Sequence, residues 1–404
     1  MTLEPTGTRV FYGWRVVAGA FLLAIFGWGV GFYGPPVFLH AVREARGWSL
    51  PLVSAAVTTH FVIGAIVVAN LPALYQRFGL PSVTSLGAIA LALGVVGWAV
   101  AAQPWQLFAA TLLSGAGWVA LGAAAVNGII APWFVRTRPA ALATAYNGAS
   151  IGGVVFSPLW VAAIGLLGFP VAAALVGIVM MVAIWILAST LFARTPQQLG
   201  LQPDGDAPER PRASVTSPHA RPLSGLLLWR DWKFWTLALG MAFGLFAQIG
   251  LIAQLFSLLV PALGEQNAGL AMGLATACAI GGRTVVGWVM PGGADRRLIA
   301  CAGYAVQIIG SLLFILAGGT SVPVLLFGVV LFGSGIGNAT SLPPLIAQVE
   351  FVKDEVQRVI SLIVAVAQGT YAFAPAFFGA LLVWGSPATP NVTLFFAAVA
   401  VVQG

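Results

Sequence analysis

The chain alternates between long apolar stretches and short polar ones. Apolar stretches of membrane-crossing length lie at 13–39, 50–75, 82–102, 105–131, 140–165, 169–193, 233–260, 268–291, 298–318, 323–346, 359–385 and 390–404. A helix needs about 20 apolar residues to cross a hydrocarbon core about 30 Å thick. The pattern therefore predicts an all-α polytopic membrane protein with twelve transmembrane helices, of which the last is short.

The longest polar segment separates the sixth apolar stretch from the seventh. It covers Arg194–Arg230 and is rich in Pro, Arg, Asp and Ser, a composition typical of a linker. We therefore expect an N-terminal six-helix bundle at 1–193, a cytoplasmic linker at 194–231 and a C-terminal six-helix bundle at 232–404.

Similar residues follow the second and the eighth stretch at the same offsets. They are Pro72, Gln76 and Arg77 in the first half, and Pro291, Asp295 and Arg296 in the second half. Such weak internal similarity is typical of membrane proteins built from structural repeats. It predicts that the two six-helix bundles are pseudo-symmetric.

Composition and charge agree with this membrane architecture. Hydrophobic residues make up 59% of the chain and charged residues only 7%, whereas soluble proteins carry about 25% charged residues. Of the 18 Lys and Arg residues, only Arg43 and Arg46 fall in outer loops and only Arg283 inside a span, if the N-terminus is inside. The positive-inside rule then predicts a multi-pass protein of the inner (plasma) membrane with both termini cytoplasmic. The same rule accounts for the net charge of +7 without nucleic-acid binding.

Arg283 is the unusual residue of the chain, because it lies well inside the apolar stretch Ala268–Pro291. A guanidinium does not lose its charge in proteins, and insertion measurements assign about 2.5–3.5 kcal/mol to such a charge at the centre of a helix. An arginine in this position favours anion binding, since it offers a carboxylate two parallel hydrogen bonds. The alternative is an arginine bonded structurally to backbone carbonyls.

No acidic residue lies deep in an apolar stretch. The 11 Asp and Glu residues all fall at the ends of stretches or in loops, so Arg283 has no obvious internal counter-ion and the substrate becomes its expected charge partner. Cys278 and Cys301 lie in apolar stretches and are interpreted as small core residues. We find no metal-binding cluster, nucleotide loop or nucleophile elbow, and we expect neither a cofactor nor an enzymatic activity.

Short motifs connect this architecture to a known family. They are Tyr12-Gly13-Trp14-Arg15, Arg194-Thr195-Pro196-Gln197-Gln198-Leu199-Gly200-Leu201 with Pro203-Asp204-Gly205, and Gly281-Gly282-Arg283. With twelve spans in a 6+6 arrangement, the chain resembles the major facilitator superfamily, and within it the monocarboxylate and oxalate–formate antiporter branch. The resemblance implies a rocker-switch carrier of small organic anions with one central site between the halves. It also implies that Arg283 is the anion-binding arginine of the eighth helix.

The sequence departs from the family pattern in two places. The superfamily's gate motif, Gly-x-x-x-Asp-Arg-x-Gly, has Pro72 and Gln76 in the Gly and Asp places, while Arg77 and Gly79 remain. We assign gating to Arg77 in this half and, in the other half, to Asp295 and Arg296. Oxalate–formate antiporters carry a second cation in the eleventh helix, where this chain has Gln368. A single buried cation suits a monoanion, because a second carboxylate would remain unpaired.

Uncharged polar residues complete the predicted substrate site. Gln368 and Tyr371 are three residues apart and share a face of the eleventh span. Tyr33 lies beside Pro35 and Pro36, where we expect a break in the first helix. These three residues and Asn147 belong to spans that line the cavity in the resembled family. Each of them also has the simpler interpretation of an ordinary interhelical hydrogen bond.

His60 is the other titratable residue that the pattern puts deep in the membrane. An imidazole titrates near neutral pH and is a possible proton relay, and the alternative is a neutral histidine bonded to a neighbouring helix. The sequence leaves open whether transport is proton symport, anion exchange or uniport, and in which direction it runs.

The sequence therefore favours a secondary active transporter that moves a small organic monocarboxylate by alternating access, with Arg283 as the carboxylate anchor. Its expected partners are that anion and the lipid bilayer, and we expect it to act as a monomer. The main alternative is an exporter of amphipathic drugs or other hydrophobic compounds, since the 25 Phe and 14 Trp residues could line an apolar cavity. A non-transporting membrane sensor or scaffold is a further alternative without a specific sequence signal.

Overall fold

The computed structural model describes residues 11–135, 137–205, 228–290, 294–351, 353–384 and 390–404, and its regular elements there are all helices. The first half contains α1 (Tyr12–Gly31), α2 (Gly34–Arg46), α3 (Leu50–Phe78), α4 (Leu80–Val100), α5 (Pro104–Ala120), α6 (Ala123–Ile130), α7 (Arg138–Leu167) and α8 (Phe169–Leu187), which a π-helical turn extends over Ala188–Phe192. The second half contains α9 (Trp232–Leu263), α10 (Glu265–Val289), α11 (Arg296–Ala317), α12 (Val322–Glu350), α13 (Lys353–Tyr371), α14 (Ala374–Leu382) and α15 (Val392–Gln403).

The helices form twelve apolar spans, as the hydropathy pattern predicts. In the described part of the chain, eleven spans are long enough to cross a membrane, and the twelfth is α15 with 12 residues. The first span is longer than the predicted 13–39, since α1 and α2 together run from Tyr12 to Arg46. Its end is fixed by Gly47, which adopts the left-handed conformation (φ 66°) that commonly terminates helices.

Among the described residues, three apolar spans are broken into two helices. The breaks fall between α1 and α2, between α5 and α6, and between α13 and α14. A helix start normally leaves backbone N–H groups without partners, but Pro35, Pro36 and Pro375 occupy the first turns of α2 and α14 and have no N–H to satisfy. The expected break beside Tyr33 is confirmed, because Tyr33 is the residue immediately before α2.

The two bundles meet on one side of the membrane-spanning region. We call the side where α8 ends and α9 begins the linker face, and the opposite side, where α2 ends and α10 begins, the distal face. Near the distal face, the Gln254 amide donates to the Ser54 hydroxyl (3.0 Å) and the Ala376 N–H donates to the Thr58 hydroxyl (2.9 Å). Both bonds join a helix of the first half to a helix of the second half and close the distal side.

Helices α7 and α10 also touch near the distal face and separate toward the linker face. Gly273 lies so close to α7 that an added Cβ would be 3.0 Å from the Val154 carbonyl oxygen. Two turns nearer the linker face, on the same side of α7, Asn147 is exposed. Gly281, in the linker half of α10, has no neighbouring atom within 4 Å of its Cβ position. The structure is therefore closed at the distal face and open toward the linker face.

The start of the linker is folded against the first bundle. Asp204 accepts hydrogen bonds from the backbone N–H groups of Val135 and Thr137 (both 3.0 Å), and its own N–H donates to the Trp133 carbonyl (2.9 Å). The linker therefore has a structured beginning, which the sequence did not indicate. Residues 206–227 lie outside the described residues.

We predict that Thr58→Val weakens the distal closure, because it leaves the Ala376 N–H without its acceptor. An interhelical hydrogen bond in a membrane contributes on average about 0.6 kcal/mol, so the ratio of distal-closed to distal-open molecules should fall about threefold. Spin labels at Arg46 and Gln266, which are exposed at the distal ends of α2 and α10, report this ratio by pulsed electron paramagnetic resonance.

The matched control for that measurement is Thr144→Val. The Thr144 hydroxyl bonds only within its own helix, to the Ala140 carbonyl, so its loss should leave the distal distance unchanged. Both variants are made in a background in which Cys278 and Cys301 are replaced by alanine. An unchanged distance distribution in Thr58→Val would contradict the assigned closure.

Candidate anion site at the bundle interface

Arg283 is held on one edge of its guanidinium. Its Nε donates to the Gly337 carbonyl of α12 (3.3 Å), and the side chain is half-buried. The contact is possible because α10 and α12 pack backbone to backbone: an added Cβ at Gly337 would lie 2.4 Å from the Ala279 carbonyl oxygen. Within the described residues, the two Nη groups donate to no protein atom. Only one of the three guanidinium nitrogens is therefore bonded to a backbone carbonyl, as the alternative interpretation of a structural arginine requires.

Tyr33 brings the first bundle to the helix that carries this arginine. It is buried, with 8% of its surface exposed, and its ring lies beside Thr276 of α10, two helical turns before Arg283. Space for this contact comes from Gly153 of α7, where an added Cβ would lie 2.6 Å from the Thr276 methyl group and 2.7 Å from the Tyr33 ring. Residues from α7, α10 and the α1–α2 break therefore meet at one point of the bundle interface.

Tyr371 and Gln368 lie on the last two turns of α13, before the break in the eleventh span. The Tyr371 ring meets the Phe61 ring of the first bundle edge-on, with centroids 6.2 Å apart. Gln368 is half-buried, and its side chain makes no hydrogen bond to a described residue. Tyr371 is thus at the bundle interface, and Gln368 retains free hydrogen-bonding groups one turn away.

Asn147 is separate from this group. It is exposed on the linker half of α7, in the region where α7 and α10 have parted, and its side chain bonds to no described residue. No contact in the described structure connects it with Arg283 or Tyr33. The predicted site residues are therefore brought together only in part.

An aromatic series that the sequence reasoning missed continues from Tyr33 across the interface. Ring centroids are 5.0 Å apart for Tyr33 and Phe32, 6.0 Å for Phe32 and Phe61, and 6.2 Å for Phe61 and Tyr371. Trp28 lies one helical turn before Phe32 on the same side of α1. Trp28, Phe32, Phe61 and Tyr371 are called the aromatic wall below. Only the i, i+4 spacing of Trp28 and Phe32 hinted at it in the sequence.

His60 has partners at both ring nitrogens. Its Nε2 lies 2.9 Å from the Gly31 carbonyl oxygen, and its Nδ1 lies 2.8 Å from the Ser114 hydroxyl. A carbonyl only accepts, so Nε2 carries the proton and the Ser114 hydroxyl can donate to Nδ1. Gly31 needs this donor, because Pro35 has no N–H to bond its carbonyl. The geometry corresponds to the interpretation of a neutral histidine bonded to a neighbouring helix.

The three predicted gating residues do not form a common cluster. Arg77 is exposed, with its guanidinium carbon 5.1 Å from the Phe78 ring centroid. Asp295 caps the start of α11 by accepting from the Arg297 and Leu298 N–H groups. Arg296 donates to the Leu345 carbonyl at the end of α12. Each residue is therefore engaged within its own half.

An ion pair that the sequence reasoning missed lies beside them. Arg297 binds both carboxylate oxygens of Glu350 (2.6 and 2.8 Å) and also donates to the Thr236 hydroxyl (3.0 Å). The contact joins the linker ends of α9, α11 and α12 within the second bundle. Arg297 and Glu350 are far apart in the sequence, so no local sequence pattern predicted the pair.

Carboxylates with described side chains stay at helix ends and in loops. They are Glu44, Asp204, Asp231, Glu265, Asp295 and Glu350. Within this set, none contacts Arg283. The guanidinium charge is therefore uncompensated by protein carboxylates in the described part of the chain.

A separate cavity of about 380 Å³ lies inside the second bundle, between α9, α11, α12 and α15. Two buried amides line it, Gln307 and Gln403. Gln403 donates to Gln307, which in turn lies 3.5 Å from Gln248. None of the predicted substrate-site residues contributes to this cavity.

The family of the chain follows from its match to a known family model. The model of the Major Facilitator Superfamily matches residues 16–375. The chain belongs to the Major Facilitator Superfamily. Members of this superfamily are secondary transporters, so the chain is a multi-pass membrane transporter and not an enzyme.

Two fungal proteins are similar in sequence to this transporter. One is the MFS transporter asaE of Aspergillus flavus, 29% identical over 204 residues, which cover 48% of this chain and 44% of that protein. The other is MFS-type transporter 1 of an Ophiocordyceps species, 26% identical over 354 residues, which cover 85% of this chain and 73% of that protein. The match therefore spans less than half of the first relative and about three quarters of the second.

Solved structures agree with the fold. The nucleoside transporter NupG superposes with a TM-score of 0.71 at 12% identity and covers 98% of this chain and 97% of that one. A bacterial homologue of the human lysosomal transporter Spinster, in an inward-facing and occupied conformation, superposes with a TM-score of 0.68 at 14% identity and covers 98% and 92%. At these identities the likeness concerns the fold alone.

We predict that His60→Leu destabilises the transporter, because it leaves the Gly31 carbonyl without its donor. It also removes the contact between the ring and the Ser114 hydroxyl, which retains only Trp98 and Thr111 as hydrogen-bond partners among the described residues. Each such buried loss costs about 1–3 kcal/mol, so the midpoint of thermal unfolding in detergent should fall clearly. The control is Asn70→Leu on the same helix, because Asn70 is exposed and bonds only to the Ile66 carbonyl of its own helix. Equal midpoints for the two variants would rule out the structural role of His60.

Proposed function

We propose that this transporter carries a small organic monocarboxylate by alternating access, as in the monocarboxylate and oxalate–formate antiporter branch, and that Arg283 binds the carboxylate. The observation that carries the proposal is the half-buried guanidinium with two unoccupied Nη groups at the bundle interface. A buried charge is strongly disfavoured unless it is paired, and a bound anion supplies the missing partner.

The contact at Nε defines how the anion binds. A carboxylate can approach a guanidinium either along the edge formed by Nε and one Nη or end-on, through both Nη groups. The Gly337 carbonyl occupies Nε, so the end-on approach remains. Substrate then lies on the side of Arg283 that points away from α12.

The first bundle contributes to the same anion through Tyr33 and the start of α2. The Tyr33 ring lies beside Thr276, two helical turns before Arg283 on α10, and its phenol can donate a hydrogen bond to a carboxylate bound between the two residues. The α2 helix begins next to it, at Gly34, and the N-terminal end of a helix carries partial positive charge. Broken helices use this arrangement at substrate sites in other transporters.

Binding from both bundles couples the substrate to the conformational change. A ligand shifts an equilibrium between two states only if it binds one of them better. An anion held between Arg283 of the second bundle and Tyr33 of the first stabilises arrangements in which both residues reach it. Neutralising Arg283 also removes an isolated charge before the cavity closes around it.

The proposal includes no proton relay within the membrane. Both nitrogens of His60 are engaged, and the described carboxylates stay at helix ends. Exchange or uniport of the anion fits this set of residues better than symport through a protein-bound proton. We assign the linker face to the cytoplasm on the positive-inside rule, and one chain supplies both sides of the site, so a monomer suffices.

Export of amphipathic compounds is the second candidate. The observation that favours it is the aromatic wall, which offers an apolar surface at the bundle interface. The two candidates differ in whether Arg283 is needed for binding.

We predict that Arg283→Gln weakens carboxylate binding about 10- to 100-fold, because hydrogen bonds to charged groups contribute about 1.5–3 kcal/mol. Arg283→Lys should recover part of this loss, since an ammonium keeps the charge but not the paired donors. Calorimetric titration of the purified transporter with a panel of monocarboxylates measures the effect.

The control variant is Arg194→Gln, which removes an equal charge from an exposed position just after the π-helical turn that ends the sixth span. It should leave affinity within about twofold, as expected for an exposed charge outside the site. Carboxylate binding that survives Arg283→Gln unchanged would reject the proposed anchor and favour the exporter.

A further inference from the structure

The aromatic wall extends the proposed function to a narrower substrate class. We propose that the site selects amphipathic monocarboxylates with an aromatic or bulky apolar body over one- to three-carbon acids. The proposal rests on the proposed role of Arg283 and adds the part of the site that receives the remainder of the substrate.

The wall starts where the carboxylate is held. Tyr33 packs beside Thr276 on the helix that carries Arg283, and the Phe32 ring lies edge-on to Tyr33 at a centroid distance of 5.0 Å. If a substrate binds end-on through its carboxylate, the Tyr33 ring is therefore its first aromatic neighbour and the Phe32 ring the next. A formate or acetate ion would occupy the charged end only.

The wall also presents surface to the interior of the transporter. Trp28 and Phe32 are half-buried, whereas their neighbour Trp118, 5.8 and 5.9 Å from them, is 6% exposed. Trp28 is on α1 and Phe32 follows directly after its end, and α1 packs against α5, α6 and α7 of its own bundle. Phe61, whose ring centroid is 6.0 Å from that of Phe32, is 4% exposed and forms the buried part of the wall.

Both bundles contribute to the wall. Phe61 belongs to α3 and Tyr371 to α13, and their rings meet across the interface at 6.2 Å. A small apolar gap lined by Phe32, Phe61 and Ile252 continues along the same interface. The gap is much smaller than a phenyl ring, so an apolar substrate body would lie along the wall beside it and contact both halves there.

The chemistry of the described lining favours this class. Aromatic faces and edges bind flat apolar groups, and Tyr hydroxyls tolerate a wet, polar end of the ligand. Arg283 is the cation that the site offers, and Gln368 and Tyr371 add only neutral hydrogen-bonding groups. A second carboxylate on the substrate would meet aromatic carbon and remain unpaired.

The test is a ligand cycle crossed with site variants. The ligands are acetate, 3-phenylpropionate and 3-phenylpropanamide, titrated calorimetrically into the purified transporter. The acid–amide comparison tests the charge contact at Arg283. The phenylpropionate–acetate comparison tests the wall, and the wild type should bind phenylpropionate at least about 10-fold more tightly, given about 25 cal/mol per Å² of apolar surface buried.

Phe32→Ala and Trp28→Ala should each lower the ratio of the phenylpropionate affinity to the acetate affinity several-fold. Neither should change the ratio of the phenylpropionate affinity to the phenylpropanamide affinity. Two variants guard against one of them failing to fold. Phe327→Ala is the matched control, because Phe327 is 56% exposed on α12 and is not part of the wall. Arg283→Gln should make the affinities for 3-phenylpropionate and 3-phenylpropanamide equal.

Each outcome separates the two proposals. An acid–amide preference without a phenylpropionate preference would overturn the wall and leave the anion site intact. A phenylpropionate preference that is equal in Phe32→Ala, Trp28→Ala and Phe327→Ala would also overturn the wall. Loss of the acid–amide preference already in the wild type would remove the proposed function, and the inference with it.

Discussion

An uncompensated guanidinium at the interface of two helical bundles is the constraint on which this account of the transporter depends. The bilayer makes an unpaired charge expensive, and arginine does not escape the cost by losing its proton. The structure gives Arg283 one backbone carbonyl and no described carboxylate. The two Nη groups remain available for a partner that binds reversibly, and a transported anion must bind in this way.

The rest of the fold arranges the surroundings of this charge. Close packing of α10 against α12 lets the Gly337 carbonyl reach Nε, and Gly153 leaves room for the Tyr33 ring to cross from the first bundle. Breaks in the helices turn aromatic and polar side chains toward the interface, and prolines at the new helix starts avoid unpaired N–H groups. Hydrogen bonds near the distal face hold the bundles together there and leave the linker face open.

The sequence predicted the spans well, because the thickness of the bilayer and the need to satisfy every backbone group leave a helix few alternatives. Arg283 could also be predicted, since a charge within an apolar stretch is visible in the sequence alone. Tyr33 was predicted for the same site, but the contacts around it were not. Its ring meets Thr276 and Gly153 from two other helices, and the pair of Arg297 and Glu350 joins the ends of separate spans. Such contacts arise from tertiary packing, which hydropathy does not encode, and the same limit explains why Asn147 lies apart from the other predicted residues.

Chemical protection of Arg283 tests the central claim most directly. Phenylglyoxal modifies accessible arginines, and mass spectrometry of the digested transporter reports the extent of modification at each site. The account predicts that Arg283 reacts in the empty transporter and that 3-phenylpropionate protects it, whereas 3-phenylpropanamide does not and exposed Arg77 reacts equally in all samples. Modification of Arg283 that is insensitive to every carboxylate offered would contradict an anion site at this residue.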